Sequence, residues 1–344
     1  MASPVSPNNF FQEARTVEAS SSAACYFPLM SGRYEVKPGM MAFGSCFGNT
    51  PTDQQVFQID DDFTHYRQIK LLARAERLNK YYQTCNYSQT VAGAIARLII
   101  NRLTQEHPQH FHCQKSIDNT VVFHSQLTKE TIYLDAELQL QKVEGSPVFP
   151  AYASTLDALA TQVQEDLTII CRSADGSNWL SAVHLCYPNH WSAEEKIGKD
   201  FAAIHAPVAG MEKINQRGGA IAHTMITHKP MVRFAWGLST DTRLNHHPEP
   251  PPSVSVSQWQ GRSFDSQHPK LYLRIERQVI WGLPEYETAL FSIRTYFRDC
   301  SVVKKDSVLR SKLYAAIQSM TPESLVYKGL VESKASILEW LQEN

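Results

Sequence analysis

Residues 271–297, LYLRIERQVIWGLPEYETALFSIRTYF, contain two strand-like runs on either side of a Gly-Leu-Pro turn. Each run is rich in β-branched and aromatic residues and carries its polar residues at a period of two, which is typical of a strand in an antiparallel sheet. A short connection containing Gly and Pro is typical of a hairpin. We therefore predict a β-hairpin with strands at 271–281 and 289–297.

The sequence around this hairpin indicates an α+β fold. Periodicity predicts helices toward both ends of the chain and further strands in its centre, at 120–126, 131–143, 167–172, 179–187 and 231–239. We expect an antiparallel sheet with helices packed around it and with helical N- and C-terminal extensions. A Ser- and Ala-rich segment at 1–24 is expected to be partly disordered, and residues 25–344 are expected to form a single domain whose sheet core spans about 120–300. Residues 243–257, rich in proline, are expected to be a surface insert.

Composition excludes several classes of function. The chain has 344 residues, 33 of them Lys or Arg and 34 Asp or Glu, so its formal net charge of −1 gives no support for binding nucleic acid or an anionic membrane. No apolar run approaches the ~20 residues needed to span a bilayer, and no basic segment followed by an apolar one opens the chain. A cytoplasmic protein is therefore expected.

The cysteines argue against a redox cluster within the chain. Seven cysteines are widely spaced, and no two form a C-x-x-C pair. This spacing favours reduced thiols over disulfides, zinc sites or iron–sulfur clusters. The sequence also has no P-loop and no G-x-G-x-x-G motif, so neither a flavin nor a nicotinamide site is predicted.

His205 is the first candidate for a metal ligand. It lies in the segment LSAVHLCYPNHWSAEEKIGKDFAAIHAPV at 180–208. Because Pro207 disfavours helical geometry at Ala206, we expect His205 to lie near the end of an ordered segment, in extended or turn geometry. A stiff, apolar setting around one imidazole suits an axial haem ligand, although a lone histidine among apolar residues is more often part of the core. His184, on the preceding predicted strand, is the alternative ligand. The adjacent His246 and His247 are expected to be solvated.

Polar residues of the hairpin form a second candidate site. Because side chains alternate between the faces of a strand, Arg274 and Glu276 share one face, and Arg294 and Tyr296 share a face of the next strand. A turn that is symmetric about Glu285 places Glu276 opposite Arg294, whereas a one-residue slip would separate the two sets. The residues then form either an ion-pair network on a solvated face or the lining of a pocket.

Several short sequence blocks lie in and around these two candidate sites. They are QEDL at 164–167, LCYP at 185–188, Trp191, KIGK at 196–199, IHAPV at 204–208, LRIERQ at 273–278 and IRTY at 293–296. In these blocks and in their order, the chain resembles the haem-dependent oxidative N-demethylase alpha-subunit family from about residue 27 to residue 310.

The resemblance implies a PAS-like fold that binds haem b and demethylates a small methylated amine with release of formaldehyde. It implies that His205 binds the haem iron and that the cofactor site includes Lys199, Arg277 and Tyr296. The catalytic side would then contain Glu276, Arg274 and Arg294, with Glu276 holding the amine.

An external reductase or other electron donor would be required. Two alternatives remain, namely a PAS-like haem sensor or binding module without turnover and a haem-free homologue.

Overall fold

The computed structural model describes residues 7–116, 119–260 and 263–343. These residues form two antiparallel sheets with helices packed against them, so the predicted α+β class is confirmed. The two sheets are built from the following strands: β1 Met41–Ala42, β2 Tyr82–Thr84, β3 Phe111–Lys115, β4 Val121–Ser125, β5 Glu130–Leu134, β6 Leu140–Glu144, β7 Asp166–Arg172, β8 Asn178–His184, β9 Met231–Ser239, β10 Tyr272–Leu283 and β11 Thr288–Asp299.

The central sheet has the strand order β1-β9-β10-β11-β7-β8-β2, and the smaller sheet has the order β3-β4-β5-β6. The strands predicted between 120 and 143 therefore belong to a separate sheet, and the region expected to hold one sheet core contains parts of two. Strands β9, β10 and β11 are the longest neighbours in the central sheet, and they carry the candidate site.

Helices cover both faces of the central sheet. They are α1 Phe63–Tyr81, α2 Gln89–Glu106, α3 Thr155–Ala160, α4 Ala193–Lys196, α5 Phe201–His205, α6 Glu212–Asn215, α7 Gly218–Thr227, α8 Val256–Gln260, α9 Cys300–Lys305, α10 Ser307–Gln318, α11 Pro322–Tyr327 and α12 Lys334–Gln342. Among the described residues, no helix is both long enough and apolar enough to cross a membrane.

Two apolar clusters define the faces of the sheet at the hairpin. Leu273 and Ile275 pack with the C-terminal helices on one face, which also bears Arg277 and which we call the Arg277 face. Ile280 and Ala289 pack under the residues of α5 and α7 on the other, which also bears Glu276 and which we call the Glu276 face.

Gly282 allows α7 to approach the sheet closely. A Cβ atom at this position would lie 2.1 Å from the carbonyl oxygen of Ile226 and 2.9 Å from that of Met225. Because both atoms belong to the backbone, no side-chain rotation could relieve the contact. The absence of a side chain at Gly282 therefore allows the backbone of α7 to pack directly against the Glu276 face.

The register of the β10–β11 hairpin corrects the predicted one. Arg277 lies opposite Arg294, and Glu276 lies opposite Thr295. The turn contains a short 3-10 helix and a left-handed residue, Glu287, so it is not symmetric about Glu285. The predicted pairing of Glu276 with Arg294 is therefore wrong by one residue, which moves Arg294 to the opposite face of the sheet.

Two segments expected to be loosely structured pack against the body of the protein. The first six residues lie outside the described range, but Phe10, Ala14 and Val17 are buried, and Glu13 forms a β-bridge with Arg243. The expected surface insert is likewise buried over its first part, whose members all have less than a tenth of their surface exposed: Arg243, Leu244, Asn245, His246 and His247.

Candidate functional site

His205 is the last residue of the short helix α5. The Asp200 side chain caps this helix by accepting a hydrogen bond from the Ala203 amide at 2.7 Å. The extended or turn geometry predicted for His205 is therefore wrong, because the prediction did not consider Asp200 as an N-cap that begins a helix at Phe201. The imidazole packs on the Phe201 ring, with the ring centroids 4.2 Å apart. Both its backbone and its ring direction are thus fixed.

The hydrogen bond of the imidazole determines its tautomer. Nδ1 of His205 lies 2.8 Å from the carbonyl oxygen of Phe201, and a carbonyl can only accept, so Nδ1 carries the proton. Nε2 is then left with a lone pair and has no partner among the described residues. Burial lowers the pKa of His205, and the charges of Arg233 and Lys196 lower it further, against the opposing effect of the Phe201 carbonyl. A neutral ring with a free, oriented Nε2 has the properties of a metal ligand.

The Glu276 face contains a row of polar residues beside a gap. In the β9–β10 pairing, Arg233 lies opposite Gln278, Glu276 opposite Ala235, and Arg274 opposite Gly237. Directly paired residues project to the same side of a sheet. The two small residues of β9 therefore leave space next to the carboxylate of β10.

This space is open although it lies over interior strands. Ala235 and Glu276 are only partly buried, and the Glu276 side chain is 15% exposed. We call this space the Glu276 cleft. On the same face of the sheet, partly buried apolar side chains pack against the cluster that contains Ile280 and Ala289: Val36, Met40, Trp191, Ile204 and Val208. The face therefore carries both polar and apolar side chains, as cofactor and small-molecule sites usually do.

The Glu276 carboxylate has few protein partners. Gln278 Nε2 donates to Glu276 Oε2 at 3.0 Å, and Arg274 Nε lies 3.9 Å from Oε1. One oxygen therefore makes a neutral hydrogen bond, and the other has only a long contact with a cation. A carboxylate in this state can accept a further donor, such as an ammonium.

Arg233 connects the histidine and the carboxylate. Its Nε is buried and has no hydrogen-bond partner among the described residues, while Nη2 lies 3.4 Å from the Lys37 carbonyl. Burial lowers the pKa of Arg233, and the Glu276 carboxylate opposes that shift. An unmatched buried donor is costly, so a ligand that accepts from this guanidinium would be stabilised. Arg233 was missed by the sequence reasoning, although it alternates with Ala235 and Gly237 on a correctly predicted strand.

Arg274 faces the cleft, but the protein already uses its guanidinium. Nη1 donates to the Leu244 carbonyl at 3.1 Å, and Nη2 donates to the Tyr187 carbonyl at 2.7 Å. Nη1 also lies 3.3 Å from Nδ1 of His246, whose Nε2 in turn donates to Asp241 at 2.9 Å. Arg274 thus ties the 241–247 segment to the sheet.

The other predicted hairpin residues lie on the Arg277 face. Arg294 is 1% exposed and donates to Asp60 at 2.6 Å, with its guanidinium 4.0 Å from the centroid of the Tyr66 ring. Arg277 donates to the carbonyls of Asp53 and Gln55. The prediction that Arg274, Glu276 and Arg294 face one pocket is therefore wrong for Arg294.

Tyr296 also projects to the Arg277 face, where its hydroxyl donates to Gln58 at 2.5 Å. Together with Arg277 and Arg294 it forms part of a buried polar network beneath the sheet. The structure thus gives these three side chains protein partners, away from the Glu276 cleft.

Two further predicted residues also lie outside the cleft. His184 is fully buried, with Nε2 3.2 Å from Asp157 and Nδ1 3.8 Å from the Cys186 sulfur, so both ring nitrogens have neighbours. Lys199 is exposed, whereas Lys196 of the same block reaches the Ile204 carbonyl at 2.6 Å, beside His205. Lys196 was not singled out from the sequence.

His246 and His247 are buried, so the expectation that they are solvated is wrong. Burial lowers the pKa of each to about 4. In the described part of the chain, no group of three or more His, Cys, Asp or Glu side chains is arranged to hold a metal ion. His205 would therefore have to share a metal with ligands from outside the chain, as an axial haem ligand does.

Comparison with protein families gives this geometry a context. A family model described as "Haem-dependent oxidative N-demethylase, alpha subunit-like" matches residues 48–338. The chain belongs to this family. The resemblance inferred from the sequence blocks is thereby confirmed, and the matched range includes both His205 and the hairpin. The family description indicates a haem-dependent oxidoreductase of the N-demethylase type, and its naming as an alpha subunit implies partner subunits.

Proposed function

We propose that this chain is the catalytic subunit of an oxidative N-demethylase and that it binds haem b in the Glu276 cleft. Its substrate is a small methylated amine, which loses a methyl group as formaldehyde. The observation that carries the proposal is the orientation of His205, whose Nδ1 is fixed by a carbonyl while Nε2 is free. The PAS-like core suggested by the sequence blocks is part of the same proposal.

The residues of the cleft fit a haem. His205 offers a neutral, oriented nitrogen for the iron, and the Phe201 carbonyl that fixes it would also raise the basicity of the ligand. Arg233 offers an unmatched Nε donor for a propionate, which is an acceptor of the planar type that arginine binds well. The partly buried apolar residues around Trp191 and Ile204 supply the dry wall that a porphyrin needs. When bound, the haem would supply the redox chemistry that oxidises the methyl group.

Glu276 is the residue we assign to the substrate. Small methylated amines are cations near neutral pH, and a partly buried carboxylate would hold such a cation by a charge-assisted hydrogen bond. The free lone pair of Oε1 could then accept the ammonium proton, which leaves the amine uncharged for oxidation. Gln278 holds the other oxygen, Oε2, and so fixes the direction in which the carboxylate points.

Electrons would come from a separate component. The sequence has no flavin, nicotinamide or iron–sulfur motif, and the alpha-subunit description of the family supports a system of several proteins. The wide spacing of the cysteines, all of which are free thiols, supports a reducing compartment such as the cytoplasm.

The first experiment is the absorbance spectrum of the purified chain after addition of haem. We expect a Soret band that is lost or shifted in His205→Ala and retained in His268→Ala, which removes an exposed histidine. A spectrum that is unchanged in His205→Ala but altered in His184→Gln would transfer the ligand role to His184.

The second experiment measures formaldehyde from dimethylamine with a chemical reductant and oxygen. Formaldehyde that depends on both haem and Glu276 would support catalysis. A haem-loaded protein that releases no formaldehyde from any methylated amine in a panel would instead be a sensor or binding module. Failure to bind haem at all would contradict the whole proposal.

A further inference from the structure

The Lys328 ammonium lies beside strand β9, on the face of the central sheet that bears Glu276. Lys328 follows α11, and its Nζ donates to the carbonyl of Trp236 at 3.1 Å. Strand β1 pairs with β9 only at Met231 and Val232, so within the described part of the chain the β9 edge beyond these residues has no strand neighbour. Lys328 uses this open edge to reach the Glu276 face.

Because Gly237 has no side chain, the ammonium of Lys328 can lie close to strand β9 at this position. A Cβ atom on Gly237 would point to the Glu276 face, where it would lie 3.8 Å from Lys328 Nζ and 3.9 Å from Asn189 Nδ2. Nζ also lies 5.4 Å from the centroid of the Tyr327 ring, in a cation–π contact. The ammonium therefore occupies a place formed by a carbonyl, an aromatic ring and the field of a nearby carboxylate.

Neighbouring charges shift the pKa of Lys328 in opposite directions. Burial lowers this pKa, the Glu276 carboxylate raises it, and the positive charge of Arg274 lowers it further. Burial and, to a smaller extent, the Glu276 carboxylate raise the pKa of Tyr327 in α11. Burial lowers the pKa of His190, and the charge of Lys328 is among the smaller effects in the same direction. Arg274 is committed to carbonyl groups, and the proposed haem would use Arg233. Arg274 Nε lies 3.9 Å from Glu276 Oε1, so Lys328 is a second cation on the face of the sheet that bears Glu276.

We propose that Lys328 is a specificity-determining residue, a tethered ammonium that adds to the counter-charge of Arg274 beside Glu276 and so opposes the binding of a cationic amine there. The inference rests on the proposed role of Glu276 in binding the amine. A primary ammonium on a side chain has the same charge and hydrogen-bonding capacity as a protonated methylamine. In the absence of substrate, it offsets the charge of the partly buried carboxylate. In the presence of substrate, it weakens the binding of cations but not of neutral molecules of the same shape.

Calorimetry with dimethylammonium chloride on the haem-loaded protein tests this inference. We expect Lys328→Met to bind dimethylammonium about five- to thirtyfold more tightly than the wild type, because the charge of Lys328 no longer repels the cation on this face. Lys328→Arg should restore the wild-type affinity. Dimethyl sulfide, an uncharged molecule of similar shape, should bind Lys328→Met and the wild type alike. Lys334→Met is the matched control, since Lys334 also donates to a backbone carbonyl, that of Gln318, but at an exposed position.

A second readout needs neither haem nor substrate. The titration of Lys328 can be followed by NMR in protein labelled with ¹³C at lysine Cε, with Lys328→Arg used to assign the signal. Glu276→Gln should lower the pKa of Lys328 further, because the carboxylate that favours its ammonium form is removed.

The possible outcomes separate this inference from the proposed function. An unchanged Lys328 titration in Glu276→Gln, or equal affinity of Lys328→Met and the wild type for dimethylammonium, would overturn the role proposed for Lys328 and leave the demethylase proposal standing. If Glu276→Gln shifts the Lys328 signal but no variant binds any amine, the proposed function fails, and the selectivity role of Lys328 fails with it.

Discussion

Arg277 and Arg294 face each other directly across the β10–β11 hairpin, and both guanidinium groups are buried on the same side of the sheet. Two cations in this arrangement repel each other unless each is neutralised separately. Arg294 is paired with Asp60, and Arg277 donates to two carbonyls of the 53–55 segment. The pair therefore joins the hairpin to the loop before α1, a role in structure rather than in ligand binding.

Replacing Arg294 should therefore reduce stability rather than cofactor binding. Arg294→Met leaves the Asp60 carboxylate buried without its cation, which we expect to cost about 3–5 kcal/mol in the free energy of unfolding. The measurement is urea denaturation. Lys142→Met, which breaks the exposed Lys142–Glu144 pair, should cost less than about 1 kcal/mol.

Adding Asp60→Asn should recover part of the loss in Arg294→Met, because it removes the unpaired charge. If Arg294→Met instead keeps wild-type stability but loses haem, Arg294 belongs to the cofactor site after all.

Replacing Glu276 should separate amine binding from haem binding. Glu276→Gln keeps the shape of the side chain and its contact with Gln278 but removes the charge. We expect a loss of at least about tenfold in affinity for dimethylammonium, because a charge-assisted hydrogen bond of about 1.5–3 kcal/mol is lost. The Soret band should be unchanged.

Titration of the haem-loaded protein with the amine measures this effect, and Glu285→Gln, in the exposed hairpin turn, is the control. Wild-type amine affinity and turnover in Glu276→Gln would remove Glu276 from the substrate site.

Replacing Arg233 should weaken haem retention. Arg233→Met fills a similar volume without the guanidinium that would donate to a propionate, and we expect haem affinity to fall about ten- to a hundredfold. Transfer of haem to apomyoglobin measures the rate of its loss. Arg298→Met is the matched control, because Arg298 lies opposite Leu273 on the Arg277 face and pairs with Glu18. Equal rates of haem loss in the two variants would indicate that Arg233 does not hold the cofactor.

The stability of the protein should decrease between about pH 4.5 and pH 7 because of Glu165. Burial raises the pKa of Glu165 to about 7 from an ordinary value of 4.5, and its Oε2 has no hydrogen-bond partner among the described residues. In this window the folded state binds more protons than the unfolded state, so this contribution to stability is complete below pH 4.5 and is lost as the pH rises through 7.

Glu165→Gln should therefore gain up to about 3 kcal/mol over the wild type on going from pH 4 to pH 8, at 1.36 kcal/mol per pKa unit. Its Oε1 can still accept from the Gln58 amide, as in the wild type. Denaturation in urea at both pH values gives the difference, with the exposed Glu332→Gln as a control. Some slope should remain in the variant, because burial also raises the pKa of Asp166 to about 6. An identical pH dependence in Glu165→Gln and the wild type would exclude Glu165 as its source.

The sequence by itself determined the class of the fold and the family. The alternation in β9, β10 and β11 is a local property of the chain, so these strands were predicted within a few residues of their observed ends. The sequence blocks also identified His205 and Glu276, which the structure places in the neighbourhood of the same buried arginine, Arg233. The predictions of the fold class and of the family succeeded because they depend on residues that are close together along the chain, whereas the roles of His205 and Glu276 stay predictions.

Only the tertiary structure decided which charged residues share a space. Hairpin register depends on the conformation of the turn. The turn at 284–287 combines a 3-10 helix with the left-handed Glu287, and the resulting register places Arg294 on the opposite face from Glu276. Lys328 reaches the Glu276 face around a sheet edge, from more than fifty residues away along the sequence, so no local pattern indicates it. The burial of His246 and His247 likewise depends on distant residues, since His246 contacts Arg274 and His247 packs on the Tyr81 ring. Periodicity indicates how a segment folds but not which residues cover it.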